Sequence, residues 1–271
     1  MKKVFLFIML AVSAVFADSL EQILDKGVIR IGLTTDQPPF SSMKDGIPVG
    51  FEVDFANRIG SDLFKKNNTS GQVELVIIED ADQRIPYLEE NKVDLLIASL
   101  TVTDDRAKLV DFSMPYFSVN IGVLTRKGDS VKGLSDLNGK TIIVETGTTA
   151  ENFFKKKGYQ TKVCQTSAEG YRMLKSGDGD AYANDNVIVL AFPILDIDVE
   201  VNIKNLGSAD FLAGAVAKGN QELLKFVNNE LIELSKEGYF KNSFDNQLNP
   251  FYKGTAEPKY FLLDDIYSIF G

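Results

Sequence analysis

Hydrophobic positions recur along the chain with two alternating periods. Phe51, Phe55, Ile59 and Leu63 stand four apart, the stripe of an amphipathic helix over Gly50–Leu63. Leu224, Val227, Leu231 and Leu234 draw a second stripe, predicting a long helix over Gln221–Lys236 that Gly238 ends. Between them lie short apolar runs too brief for free-standing helices: 28–33, 73–78, 93–97, 121–125, 141–144, 181–185 and 213–217. These read as strands, mostly buried on both faces. Polar-capped helical segments separate them: Ser19–Asp25 closed by Gly27, Asp82–Asn91 capped by Asp82, Ala150–Lys157, and Ala168–Lys175 ended by Gly177. Another, Ile188–Phe192, is broken by Pro193. Strand-helix alternation predicts an α/β protein built on parallel sheets flanked by helices.

Composition narrows the chemistry. The 271 residues suit one large domain or two modest lobes. There is no histidine, so Ser-His-Asp and Cys-His mechanisms are excluded. A lone cysteine, Cys164, forms no intrachain disulfide and supplies no zinc site; it reads as a buried strand residue. Met1–Lys3 is basic, Val4–Val15 is apolar but shorter than the ~20 residues of a bilayer span, and Ala17 ends the stretch on a small residue. A signal peptide over 1–17 is expected, with no cysteine nearby for a lipid anchor. Without Lys2 and Lys3 the formal charge falls from −9 to −11. So acidic a chain is a poor binder of nucleic acid or anionic membrane.

Chemistry concentrates at four strand ends. After the run Val93–Ile97 come Ser99 and Thr101, two apart, so in extended chain both hydroxyls face one way. Thr103 then caps a helix whose first turn holds Asp104, Asp105 and Arg106. A cation there opposes the helix dipole. It is either a solvated arginine offset by its Asp neighbours or, with the two hydroxyls, a socket for a carboxylate held bidentately. Thr34–Phe40 is a loop stiffened by Pro38 and Pro39 at the end of the first strand, the place where open α/β sheets bind ligands. Gly147, Thr148 and Thr149 precede a helix and read as a plain cap or an anion site. Asp185 ends a strand and either caps the next helix or meets a cation. Arg84 is a further arginine near a helix start, solvated or pocket-lining.

The run Ser99, Thr101, Thr103, Arg106, Phe112, Ser113, Pro115, Tyr116 resembles the periplasmic solute-binding proteins (family 3) of polar amino-acid ABC transporters. The resemblance extends over nearly all of the chain beyond the signal peptide and gives out near Phe251. It implies a two-lobed periplasmic-binding-protein fold of type II, with residues 18–117 and 212–271 in one lobe and 118–211 in the other. Two crossover strands, near 117–120 and 208–212, would act as hinge. It also implies that Arg106, Ser99, Thr101, Thr148, Thr149 and Gly147 clamp an α-carboxylate, and that Asp185 accepts the α-ammonium. Gln37 and Phe40 lie in the ligand-lining loop, where the family usually carries an aromatic at the position of Gln37. The family's Asn-Arg-Ile-Pro is matched by Gln83-Arg84-Ile85-Pro86, with Ala81 where binders of basic amino acids carry an aromatic. Together these point to the branch that binds cysteine and acidic amino acids, and to a small polar amino acid: cysteine or cystine, aspartate or glutamate. An inner-membrane permease is the implied partner. No cofactor or metal, no membrane insertion of the mature chain and a monomeric state are expected. The alternative is a dehydratase on the same scaffold, with Glu145, besides Asp185, as its acid. The aromatic tail, with Tyr252, Tyr260, Phe261, Tyr267 and Phe270, is expected to pack on the back of a lobe.

Overall fold

The structure, a computed structural model, describes residues 17–258. The expected signal peptide and the tail aromatics beyond Tyr252 lie outside the described residues.

The first half of the fold follows the apolar periods closely. Ser19 caps α1 (Leu20–Lys26) in a capping box with Gln22, and Gly27 ends it at φ 66°. Strand β1 (Val28–Leu33) leads into a small antiparallel sheet of β2 (Asp36–Gln37), β3 (Ser41–Lys44) and β4 (Ile47–Val49). Helix α2 (Phe51–Lys66) buries Phe51, Phe55, Ile59 and Leu63. Strand β5 (Gln72–Ile77) pairs in parallel with β1, but as the outermost strand; Gln72 and Glu74 are exposed, so it is not covered on both faces as expected. The helix expected from Asp82 divides into a 3-10 turn (Ala81–Gln83) and α3 (Arg84–Glu89). Asp82 makes no cap: Pro86 sits in the first turn of α3, where its missing N–H is tolerated. Strand β6 (Leu95–Leu96) is short, and the helix expected after Thr103 is a single 3-10 turn, Arg106–Lys108.

The two crossings are longer than their local patterns. Strand β7 (Val110–Arg126) runs unbroken through the expected crossing. The second half follows with β8 (Thr141–Glu145), α4 (Thr149–Lys156), β9 (Gln160–Cys164), α5 (Ser167–Ser176) and β10 (Ala181–Asp185). Then come α6 (Asn186–Val189) and α7 (Phe192–Leu195), where Pro193 opens the second helix rather than breaking the first. Strand β11 (Val199–Ala217) returns antiparallel to β7, with Asp210 opposite Val119 and Leu212 opposite Phe117. Its register slips at several points, as a strongly twisted ribbon requires. One eight-stranded sheet results, in the order β5-β1-β6-β11-β7-β10-β8-β9. Each end is three parallel strands; the antiparallel β7 and β11 join them.

Helix α8 (Gln221–Lys236) covers the first half. Its fully buried face begins at Leu223, with Leu224 only half-buried, one position from the expected stripe. After α9 (Tyr239–Ser243) and a π turn, α10 (Asn249–Tyr252) brings Tyr252 into the core. The Tyr252 hydroxyl donates to the Val187 carbonyl at 2.6 Å, so this residue reaches α6. Phe40 is also core: its ring meets Phe51 and Phe117 edge-on at 5.7 and 4.9 Å.

Candidate functional site

Strands β1, β6, β8 and β10 all direct their carboxyl ends, or the loops just after them, at one small, largely enclosed cavity between the two halves. Eight of the ten residues singled out in the sequence line it: Gln37, Arg84, Ser99, Thr101, Arg106, Thr148, Thr149 and Asp185. Phe40 and Gly147 do not.

Arg106 spans the cleft. Its Nη1 donates to the Thr101 carbonyl at 2.6 Å and its Nη2 to the Gly147 carbonyl at 2.7 Å. Burial, then the neighbouring Arg84, pushes its pKa down to about 9, so it remains charged at neutral pH. Gly147 is therefore an acceptor for this arginine and not a donor to an anion. Its N–H is itself taken, at 2.8 Å, by Glu151 Oε2. Thr148 serves as the N-cap of α4: its hydroxyl donates to the Glu145 carbonyl at 2.7 Å and accepts from the Glu151 N–H at 3.2 Å. Thr149 differs. Its Oγ1 is buried without a partner, at the first position of α4, where the backbone N–H also lacks an intrahelical acceptor. Hydroxyl, N–H and the guanidinium of Arg106 together can hold a carboxylate.

Ser99 does not continue the strand. It takes φ 46°, so its hydroxyl and that of Thr101 are not the parallel pair that extended chain predicts. Both its N–H and its hydroxyl donate to Glu52 Oε1, at 2.8 and 2.9 Å. With its proton committed, the Ser99 oxygen has only lone pairs left for a ligand and suits a cation. Tyr116 donates to the same Glu52 oxygen at 2.6 Å. Glu52 is fully buried, its pKa raised by that burial. In sequence it is one more helix position beside the Phe51 stripe, and nothing there distinguishes it.

Asp185 makes no cap on α6, which removes the bland reading of its place at a strand end. It is buried, and burial raises its pKa to about 7 against the pull of Arg84 and Arg106. Arg84 is not a solvated arginine. It is buried, with Nε on the Ala81 carbonyl at 2.7 Å and Nη1 on the carbonyls of Ala98 and Ser99 at 2.9 and 3.0 Å. Burial lowers its pKa, and Glu145, Asp185 and Glu52 oppose that. The sequence reading missed Asn184 and Ile188, which also line the cavity. Glu145 lies behind the wall. It accepts from Ser167 Oγ at 2.9 Å and Asn184 Nδ2 at 2.8 Å, and burial, followed by Asp36, raises its pKa to about 7. Among the described residues no group of three His, Cys, Asp or Glu could hold a metal ion. Cys164 is buried and reduced, its thiol pKa raised by burial.

Residues 29–247 match the bacterial extracellular solute-binding proteins, family 3. The chain belongs to this family. The L-cystine-binding protein TcyJ of Escherichia coli is 30% identical over 82% of this chain and 84% of its own length. Two solved structures are similar to this family 3 protein across nearly their whole length. The solute receptor for L-cysteine of Neisseria gonorrhoeae superimposes with a TM-score of 0.84 and 36% identity, covering 90% of this chain and 99% of that one. The cysteine-binding protein of Campylobacter jejuni gives 0.84 and 32%, covering 90% and 98%. The fold is accordingly that of a type II periplasmic binding protein: two α/β lobes joined by β7 and β11. Membership makes the family 3 protein a solute-binding protein and not an enzyme. The dehydratase alternative falls on that ground. Of its two nominated acids, Glu145 does not line the cavity and Asp185 does.

Proposed function

We propose that this protein closes around a single free, small, polar α-amino acid and presents it to a membrane permease. One observation carries the reading: a single cavity is lined both by Arg106 and Thr149, which can hold a carboxylate, and by Asp185 and Ser99, which can accept from an ammonium. A carboxylate placed on the first pair puts an α-ammonium within reach of the second. Among the described residues, 18–117 and 212–258 are assigned to one lobe and 118–211 to the other. Thr148, Thr149 and Asp185 belong to the second lobe and Ser99, Thr101, Arg106, Arg84 and Gln37 to the first, so neither lobe alone completes the site. Ligand therefore selects the closed state. Charge-assisted hydrogen bonds contribute roughly 1.5–3 kcal/mol each, enough together for micromolar binding, about −8 kcal/mol, after ordering costs.

Side-chain selection rests on Gln37, Ala81 and Arg84. The first two leave no aromatic platform, and the third places a buried cation in the wall. Cysteine or cystine, aspartate and glutamate fit that lining, and the relatives bind L-cystine and L-cysteine. The protein acts as a monomer in the periplasm, exported by a cleaved signal peptide over residues 1–17. Calorimetric titration with the twenty amino acids and cystine tests the assignment. Tight binding of one of the four named compounds is expected; preference for arginine, lysine or histidine would overturn it.

A further inference from the structure

Asp36 makes a contact across the cleft that the amino-acid site does not need. It sits on β2 in the first lobe, beside the cavity-lining Gln37. Its Oδ2 accepts the backbone N–H of Ser167, the first residue of α5 in the second lobe, at 2.8 Å. The Ala168 N–H reaches the same carboxylate. Thr166 already caps α5 through its side chain by accepting from the Glu169 N–H. Asp36 is thus a second cap for this ten-residue helix, supplied by the opposite lobe. Ser167 faces two ways: its N–H points to Asp36 and its hydroxyl to Glu145. Glu145 in turn holds Asn184, which lines the cavity.

Asp36 does not line the cavity, and its acceptors are occupied by the helix start. Separating the lobes would return both the carboxylate and the two N–H groups to water. The contact accordingly exists only when the cleft is shut, and it is stabilised by the positive end of a helix. On the other side of the cleft Arg106 reaches the Gly147 carbonyl. Of these two interlobe bonds, one is engaged with the ligand's socket and one is clear of it. We infer that Asp36 is a closure residue: by capping α5 of the facing lobe it sets the fraction of closed protein and the residence time of the ligand, without choosing the ligand.

The inference rests on the closing two-lobed receptor proposed above, and the test separates the two. Spin labels on Asp45→Cys and Lys157→Cys, exposed positions on opposite lobes, report the interlobe distance with no amino acid present. Asp36→Ala is expected to move this distance distribution toward the open form. With whichever amino acid binds the unaltered protein, its dissociation rate should rise about tenfold or more, as loss of a charge-assisted bond implies. The association rate should stay within about twofold and the rank order of amino acids should not change. A second variant guards against misfolding. Ser167→Pro removes the donor N–H at a helix position that accepts proline; its comparison with Ser167→Ala, which keeps that N–H, isolates the bond. Asp36→Ala should add little to Ser167→Pro. An unchanged distance distribution and dissociation rate in Asp36→Ala would overturn the inference. So would full additivity of the two variants, or an altered ligand ranking, which would make Asp36 a ligand contact. If no amino acid binds the unaltered protein, the proposed function fails, while the label distances still decide the role of Asp36.

Discussion

Arg106 commits two of its five N–H donors to carbonyls, one in each lobe, before any ligand arrives. The side chain is thereby pre-aimed, and its remaining donors meet a carboxylate without much further ordering. Replacing it with alanine removes the fork and leaves the Thr101 and Gly147 carbonyls in the cleft unpaired. We expect Arg106→Ala to weaken amino-acid binding by at least about 2 kcal/mol, roughly thirtyfold. Arg106→Lys should restore little, because an ammonium cannot span two carbonyls and a carboxylate in one plane. Titration calorimetry on folded variants checks both; near-unaltered affinity for Arg106→Ala would mean the carboxylate binds elsewhere. Residue types at this scale were readable in advance where a side chain broke a local rule. Arg106 and Arg84 are cations near helix starts, and Asp185 closes an apolar strand. Glu52 broke no rule that a linear pattern can express. Its burial follows from Ser99 turning into left-handed backbone and from Tyr116 arriving on β7, a partner 64 residues away in the chain.

At the scale of elements, what the chain announces locally forms where expected. Strands β1 and β10 and helix α8 have the anticipated bounds, because each is fixed by its own period and its own caps. The crossings were not legible at full length. The crossings are expected near 117–120 and 208–212 as short strands; they extend over 110–126 and 199–217 because each lies opposite the other, about 90 residues distant. Gly147 shows the same limit. Its place before a helix suggested an anion cradle, yet the element it serves is the facing lobe. It adopts φ 74°, and a Cβ there would lie 3.0 Å from the Cβ of Asp82 and 3.1 Å from its Cα. Asp82 is on the first lobe, so a side chain at 147 obstructs closure as well as straining the turn. Left-handed backbone costs a non-glycine residue ~1–2 kcal/mol. Gly147→Ala is therefore expected to weaken ligand binding about tenfold or more. The melting temperature of the empty protein should fall by only a few degrees, consistent with the strain alone. Unchanged affinity would show that the lobes shut without bringing these residues together.

For the molecule as a whole, the site sets conformational closure against electrostatic stability. Burial pushes the carboxyls of Asp185 and Glu145 up to about 7 in the folded protein, from ordinary values near 4. A carboxyl whose folded pKa lies above its unfolded one favours folding in its protonated form. Its contribution is fully present below the unfolded value, about pH 4, and is lost as pH rises through about 7. Asp196 acts oppositely and lower down: Lys175 and Tyr171 hold it near 2, so its contribution is lost only in acid. The comparison that isolates the site is between the empty protein and Asp185→Asn. The two should melt together near pH 4, and Asp185→Asn should become the more stable by several degrees at pH 7.5, as 1 kcal/mol amounts to about 2–4 °C at this size. Differential scanning calorimetry at pH 4, 6 and 7.5 reads the gap, and a gap that does not widen with pH would remove Asp185 as a buried carboxylate under strain. Bound ligand reverses the sign. An α-ammonium beside Asp185 favours the carboxylate and lowers its pKa, so binding releases a proton near neutrality. Affinity should then fall as pH drops below about 7. Asp185→Asn, stabler when empty, should bind poorly at every pH, which is the cost expected where a binding site is kept from its most stable composition.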